Sequence, residues 1–227
     1  MITTVVFDLD DTLYDEVEYC KSGFASVAEF VANLPNQPAA ENIFGAFWKQ
    51  FTAGNRKKTF DAALDELGVD YDYELIQQLT EVYRDHIPKI TLPQDSREVL
   101  CQLSAKYTLA LLTDGFLPGQ QLKVQALAIE KYFESIVYTD QLGREFWKPS
   151  PVGFEKLMDT LNAKPESAAY VGDNEKKDFI APNKLSFVTI QIIRPARIHT
   201  GTVEDPDAPA RHIIHKIGEL PALLEKL

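Results

Sequence analysis

Three carboxylates fall within four residues near the start of the chain, in Asp8-Leu9-Asp10-Asp11, directly after the apolar run Val5-Val6-Phe7. Residues two apart on an extended chain point the same way, so Asp8 and Asp10 would face one reacting group if the strand persists, with Asp11 turned elsewhere. Like charges so close repel, and a hard divalent cation such as magnesium would relieve them. The same residues could instead shape a turn or cap a following helix.

Further along, other residues could join such chemistry. Thr113 closes Leu-Ala-Leu-Leu-Thr and is followed by Asp114 and Gly115, where a hydroxyl and backbone amides could receive a phosphate oxygen. Lys148, in Phe-Trp-Lys-Pro-Ser-Pro, is a point charge able to bind phosphate and offset the acids. The run Ala-Ala-Tyr-Val leads into Gly172 and Asp173, with Asp178 close behind, and these acids could complete a magnesium shell with Asp8. Taken singly, each has a plainer role as turn former, solvated loop charge or helix-face acid.

Positioning them requires strands. An apolar β-branched run ending in acids has the pattern of a parallel strand buried on both faces, and ligands of open α/β sheets sit beyond the carboxyl ends of such strands. From residue 94 helical and strand patterns alternate: strands are expected at 108–113, 135–138, 168–171, 187–193 and 211–217, with helices near 118–129, 150–161 and 176–182. Four helical patterns, near 17–34, 39–52, 58–67 and 73–86, come in succession before that, with no strand between them. The expected architecture is therefore a doubly wound α/β parallel-sheet core, residues 1–14 and 93–227, with a four-helix cap at residues 15–92. Residues 194–211, broken by Pro195, Pro206 and Pro209, read as an irregular loop.

Composition narrows the partners. The 227 residues are 45% apolar and 25% charged, the balance of a soluble globular protein, and a cytoplasmic location is expected because no basic flank with an apolar stretch opens the chain. A net charge of −11 disfavours nucleic acid and anionic membranes, so an anionic substrate must be held by a local exception. Cys20 and Cys101 have no paired-ligand spacing, and His212 and His215 lack further clustered ligands, which speaks against zinc. A monomer or homodimer is expected.

In order, Asp-x-Asp, Thr, Lys-Pro and Gly-Asp-x-x-x-x-Asp, each at or beside its own strand end, resemble the four motifs of the haloacid dehalogenase superfamily, over nearly the whole chain. The resemblance implies a Rossmann-like core, Asp8 as nucleophile, Asp10 as general acid and base, and magnesium held by Asp8, Asp173 and the Asp10 backbone carbonyl, with Asp178 orienting that shell. Thr113, Lys148 and the amides of Asp114 and Gly115 would bind the phosphoryl group. The dehalogenases of the superfamily lack an acid at the Asp10 position, so Asp10 argues for phosphate chemistry. Asp114 departs from the pattern, since Asn often follows the hydroxyl residue, and an inward-facing acid would make the phosphate pocket less welcoming.

The expected activity is a magnesium-dependent phosphatase acting on a small phosphorylated metabolite through an aspartyl-phosphate. A phosphomutase using the same intermediate is the enzymatic alternative, and a phospho-aspartate signalling receiver is a non-enzymatic one. Burial and neighbouring negative charge should raise the pKa of Asp10 and help it donate a proton. Specificity is expected from the cap, where Arg56 and Lys57 could grip a second anionic group or form a solvated face, while the aromatic set Phe44, Phe47, Trp48 and Phe51 reads as packing; Arg194, after a strand end, could also approach the site.

Overall fold

Thr4–Phe7 (β1) is buried at every position, as a Val-Val-Phe run requires when both faces of a strand are covered. The computed structural model describes residues 1–227. The remaining strands are β2 (Thr108–Thr113), β3 (Ser135–Tyr138), β4 (Ala168–Gly172), β5 (Val188–Ile192) and β6 (His212–Ile214). They form one six-stranded sheet in the order β3-β2-β1-β4-β5-β6, and every pairing is parallel. The register sets Phe7 beside Leu111 on one side and Val171 on the other. The segments that follow β1, β2 and β4 therefore leave the sheet along one edge, and those segments carry the acids, with Thr113 the last residue of β2.

Helices α5 (Gln94–Ser104), α6 (Gly119–Leu127), α7 (Val152–Leu161), α8 (Ile180–Lys184) and α9 (Leu220–Leu224) accompany this sheet. Much of the core lies where Val6, Ala110 and Leu112 meet Phe154, Leu157, Phe179 and Phe187, all buried. Helix α8 starts later than the sequence pattern predicts. Asn174 Oδ1 accepts the Lys176 amide and Asp178 Oδ2 accepts the Asn174 amide, so side chains take up the backbone donors of a turn where the first helical turn was expected.

The strand also stops sooner than the spacing of Asp8 and Asp10 suggests. It ends at Phe7, and the chain turns through Asp11 in the left-handed region (φ 53°).

By its contacts the chain divides into Met1–Val17 with Thr91–Leu227, and a helical unit Glu18–Ile90. The helical unit contains most of α1 (Glu16–Ala32) together with α2 (Ala40–Thr52), α3 (Thr59–Leu67) and α4 (Tyr73–Asp85). Asp72 caps α4 by accepting the Leu75 amide, and Gly68 ends α3 at φ 66°. The rings of Phe24, Phe47, Phe60 and Tyr83 pack mutually inside it, and Phe44 stacks on Trp48. No helix is long and apolar enough to cross a membrane.

The segment 194–211 has no helix or strand, yet its far end is anchored. Asn183 Nδ2 donates to the carbonyls of Asp207 and Pro209 at 2.8 and 2.9 Å, and its Oδ1 accepts the Thr189 hydroxyl at 2.7 Å. Asn183→Ala should lower folding stability by about 2 kcal/mol, because two carbonyls and a hydroxyl lose their partner together. Denaturant titration checks this, and a loss near zero would mean that water replaces the amide without cost.

Candidate active site

Beyond the shared edge of β1, β2 and β4 lies a cleft of about 280 Å3. Asp8, Asp10, Asp114, Lys148 and Asp173, all anticipated from the sequence, line it. Glu16, Trp147, Asn174, Lys177 and His199 line it as well, and none of these was expected at the site.

Its base is a buried lysine between two carboxylates. Lys148 Nζ donates to Asp8 Oδ1 at 2.6 Å, Asp178 Oδ1 at 2.7 Å and the Tyr170 hydroxyl at 3.0 Å. Burial favours the neutral amine, but the charges of Asp178 and Asp8 outweigh it and hold the Lys148 pKa well above its ordinary value. Gly172 makes this packing possible, because a Cβ there would sit 2.7 Å from Asp178 Oδ2. Burial raises Asp8 to about 6 against the opposing charge of Lys148. Asp178 feels the same burial but is lowered by Lys148 and Lys177, by its Lys148 bond and by the Asn174 amide.

Asp173 lacks that compensation. Its Oδ2 is buried with no hydrogen-bond partner, and burial followed by the charges of Asp178 and Asp8 pushes its carboxyl to about 9. Asp8, Asp173 and Asp178 each offer one oxygen within 4.8 Å of the others. An all-carboxylate set with an orphaned oxygen fits a hard divalent cation.

Asp10 corrects an expectation. Burial does push its carboxyl upward, but the Lys123 charge and hydrogen bonds from Lys123, Tyr14 and Gln120 prevail and hold it below the ordinary carboxylate value. Lys123 Nζ lies 2.8 Å from both Asp10 oxygens, the Tyr14 hydroxyl donates at 2.5 Å and Gln120 Nε2 at 2.9 Å. Gln120 also reaches Thr113 Oγ1 at 2.7 Å and the Asp114 carbonyl at 2.6 Å, so one amide ties the Asp10 carboxylate to the end of β2.

Thr113 is buried and is not among the residues that line the cleft. Asp114 is turned to other work: Oδ1 accepts from the Thr139 hydroxyl at 2.8 Å and the Lys148 amide at 3.2 Å, and Lys177 Nζ stands 3.4 Å from Oδ2. Its added charge is thereby paired, and it fixes the backbone from which Lys148 reaches inward. Gly115, at φ 139°, packs against Gln120. Arg194 does not line the cleft and instead binds Asp15 through Nε at 2.6 Å. Arg56 and Lys57 belong to the helical unit, where the Arg56 guanidinium lies over the Phe51 ring.

Lys123 and Gln120 left a faint sequence signal. They stand in phase with Leu127 on the buried face of α6, and polar residues on a core-facing stripe demand partners.

A family model described as haloacid dehalogenase-like hydrolase matches residues 2–184. The chain belongs to the haloacid dehalogenase-like hydrolases. It is similar to the glyceraldehyde 3-phosphate phosphatase of Methanopyrus kandleri, 29% identical over 216 residues that cover 92% of this chain and 91% of the relative. The N-acylneuraminate-9-phosphatase of Rattus norvegicus is 24% identical over 242 residues, covering 100% and 95%. The crystal structure of a 2-haloacid dehalogenase from Pseudomonas syringae pv. Tomato DC3000 superposes with a TM-score of 0.67 at 22% identity, over 100% of this chain and 99% of that one. That likeness is one of fold.

In this hydrolase Lys123→Met should expose how Asp10 is held. With the lysine present, the lowered pKa of Asp10 contributes stability above its unfolded value, near 3.8, and that stability is lost only as pH falls through the folded value. Without the lysine, burial would be opposed only by the Tyr14 and Gln120 hydrogen bonds and the carboxyl should rise, so the penalty should grow as pH rises. The expected loss is about 2–4 kcal/mol at pH 8 and smaller at pH 5, with recovery on adding Asp10→Asn. Equal losses at both pH values in thermal or urea unfolding would contradict this.

Proposed function

We propose that this hydrolase is a magnesium-dependent phosphatase that cleaves a small phosphomonoester through an aspartyl-phosphate on Asp8. The observation that carries the reading is one cleft with two carboxylates in separate charge environments, Asp8 on Lys148 and Asp10 on Lys123. A reaction that needs a nucleophile and a separate proton carrier uses such a division. The two relatives named above, both phosphatases and both matched over most of the chain, support it.

Asp8 and Asp173 would hold the cation with the Asp10 backbone carbonyl, and Asp178, already bonded to Lys148 and the Asn174 amide, would orient them. When bound, magnesium neutralises the crowded carboxylates and the phosphoryl oxygens. Lys148 and the amides of Asp114 and Gly115 bind those oxygens, and the Thr113 hydroxyl, held by Gln120 at the end of β2, turns to one of them when the substrate enters. An Asp8 oxygen attacks phosphorus in line as the ester oxygen departs, and protonated Asp10 gives that oxygen its proton. Asp10 starts ionised, so it must take up a proton as the substrate's negative charge approaches and raises its affinity for one. Lys123 then stabilises the Asp10 carboxylate left after donation. In the second half Asp10 takes a proton from the water that attacks phosphorus, and inorganic phosphate leaves with Asp8 restored. We assign the helical unit the part of a substrate cap, so Arg56→Ala and Lys57→Ala should reorder a panel of phosphate esters.

Asp8→Asn should abolish phosphate release in a folded protein, since an amide cannot form the intermediate. Activity of the unaltered enzyme should vanish with a chelator and return with magnesium, whereas calcium, with its looser and higher coordination, should restore little. Phosphate release by folded Asp8→Asn, or full activity in chelator, would overturn the mechanism.

A further inference from the structure

We infer that Glu16 and His199 form a leaving-group subsite selecting phosphate esters of uncharged, hydroxyl-bearing alcohols over esters whose alcohol carries a carboxylate. This rests on the phosphatase reading and names the substrate class of the same cleft. Both side chains line the cleft with Asp8 and Asp10. His199 Nε2 lies 3.9 Å from Glu16 Oε2, and Glu16 Oε1 lies 3.8 Å from Nζ of Lys123, the lysine that grips Asp10. Asp10 must reach the ester oxygen to protonate it, so groups beside Asp10 meet whatever that oxygen is attached to.

A buried carboxylate holds both members of the pair. Asp11 Oδ1 accepts the Glu16 amide at 2.9 Å, and Oδ2 accepts the Ile198 amide at 2.6 Å. Arg194 adds a second tether from the same loop to Asp15. The loop segment carrying His199 is thus fastened to the turn that carries the acids, although the two are far apart in sequence.

Charge decides the class of alcohol. Five acids line the cleft, Asp8, Asp10, Glu16, Asp114 and Asp173, against Lys148 and Lys177. Lys148 stands between Asp8 and Asp178 and serves the phosphoryl group, and Lys177 faces Asp114, so neither cation faces the alcohol. Burial and then the Asp10 charge push the Glu16 carboxyl up to about 8, and both effects equally oppose a second anion brought there on a substrate. A carboxyl and an imidazole side by side instead offer a donor and acceptors to hydroxyl groups.

The test compares kcat/KM, with magnesium, for glycerol 3-phosphate, n-propyl phosphate, 3-phosphoglycerate and p-nitrophenyl phosphate in the unaltered enzyme, Glu16→Ala and His199→Ala. Ratios within each protein cancel any loss of folded enzyme. The unaltered enzyme should favour glycerol 3-phosphate over both propyl phosphate and 3-phosphoglycerate by about tenfold, and each variant should bring the glycerol-to-propyl ratio to within about twofold of unity. In Asp8→Asn protein, glycerol 3-phosphate should raise the thermal midpoint more than propyl phosphate does, and adding His199→Ala should remove the difference. Hydrolysis of nitrophenyl phosphate with no preference for glycerol over propyl, a preference for 3-phosphoglycerate, or ratios unmoved in both variants would overturn the subsite alone. No hydrolysis of any ester would overturn the phosphatase reading and the subsite with it.

Discussion

A lysine buried between two carboxylates sets the terms for the rest of the molecule. Lys148, 1% exposed at its side chain, sits 2.6 Å from Asp8 and 2.7 Å from Asp178, themselves buried. Charges taken out of water at this depth are tolerable only with close partners and satisfied remaining bonds. The three groups come from the end of β1, the turn after β4 and the segment before α7, and the parallel sheet, with β1 beside β4, brings them together. The missing side chain of Gly172 and the hold of Asp114 on the Lys148 amide follow from the same demand.

A second charge pair lies alongside the first and is kept separate from it. Asp10 belongs to Lys123, with Gln120 bridging to Thr113 and Tyr14 closing the remaining side. Two neighbouring aspartates thereby acquire opposite tendencies, Asp8 raised and Asp10 lowered. Asp173, raised furthest toward its neutral form of the three and left with an unpartnered oxygen, is the place where the arrangement lacks positive charge. A divalent cation would supply it.

The strands and the acids after them were legible because a buried parallel strand is apolar along its whole length, so a run that stops abruptly at Asp8, Thr113 or Gly172-Asp173 marks where the chain leaves the sheet. The direction of the Asp10 shift was not legible. It depends on Lys123, one helix further on, whose charge overrides burial only because its ammonium reaches both oxygens. The late start of α8 was hidden for a local reason, since Asn174 and Asp178 fit a helix pattern as well as the turn their side chains build. His199 had no periodic neighbours to announce it, and its place depends on long-range contacts such as the bond from Ile198 to Asp11 across 187 residues of chain. Such long-range contacts are made by tertiary packing and leave no spacing to read.

Covalent capture addresses the central claim most directly. The unaltered enzyme, mixed with substrate and magnesium and quenched in acid during turnover, should carry an acyl phosphate that borohydride reduces to an alcohol, and peptide mass spectrometry should locate the resulting homoserine at position 8. Reduction at position 8 in the turning-over sample but not in substrate-free enzyme is the predicted result. Steady phosphate release with no reduction at position 8, or with reduction at another carboxylate, would contradict the account.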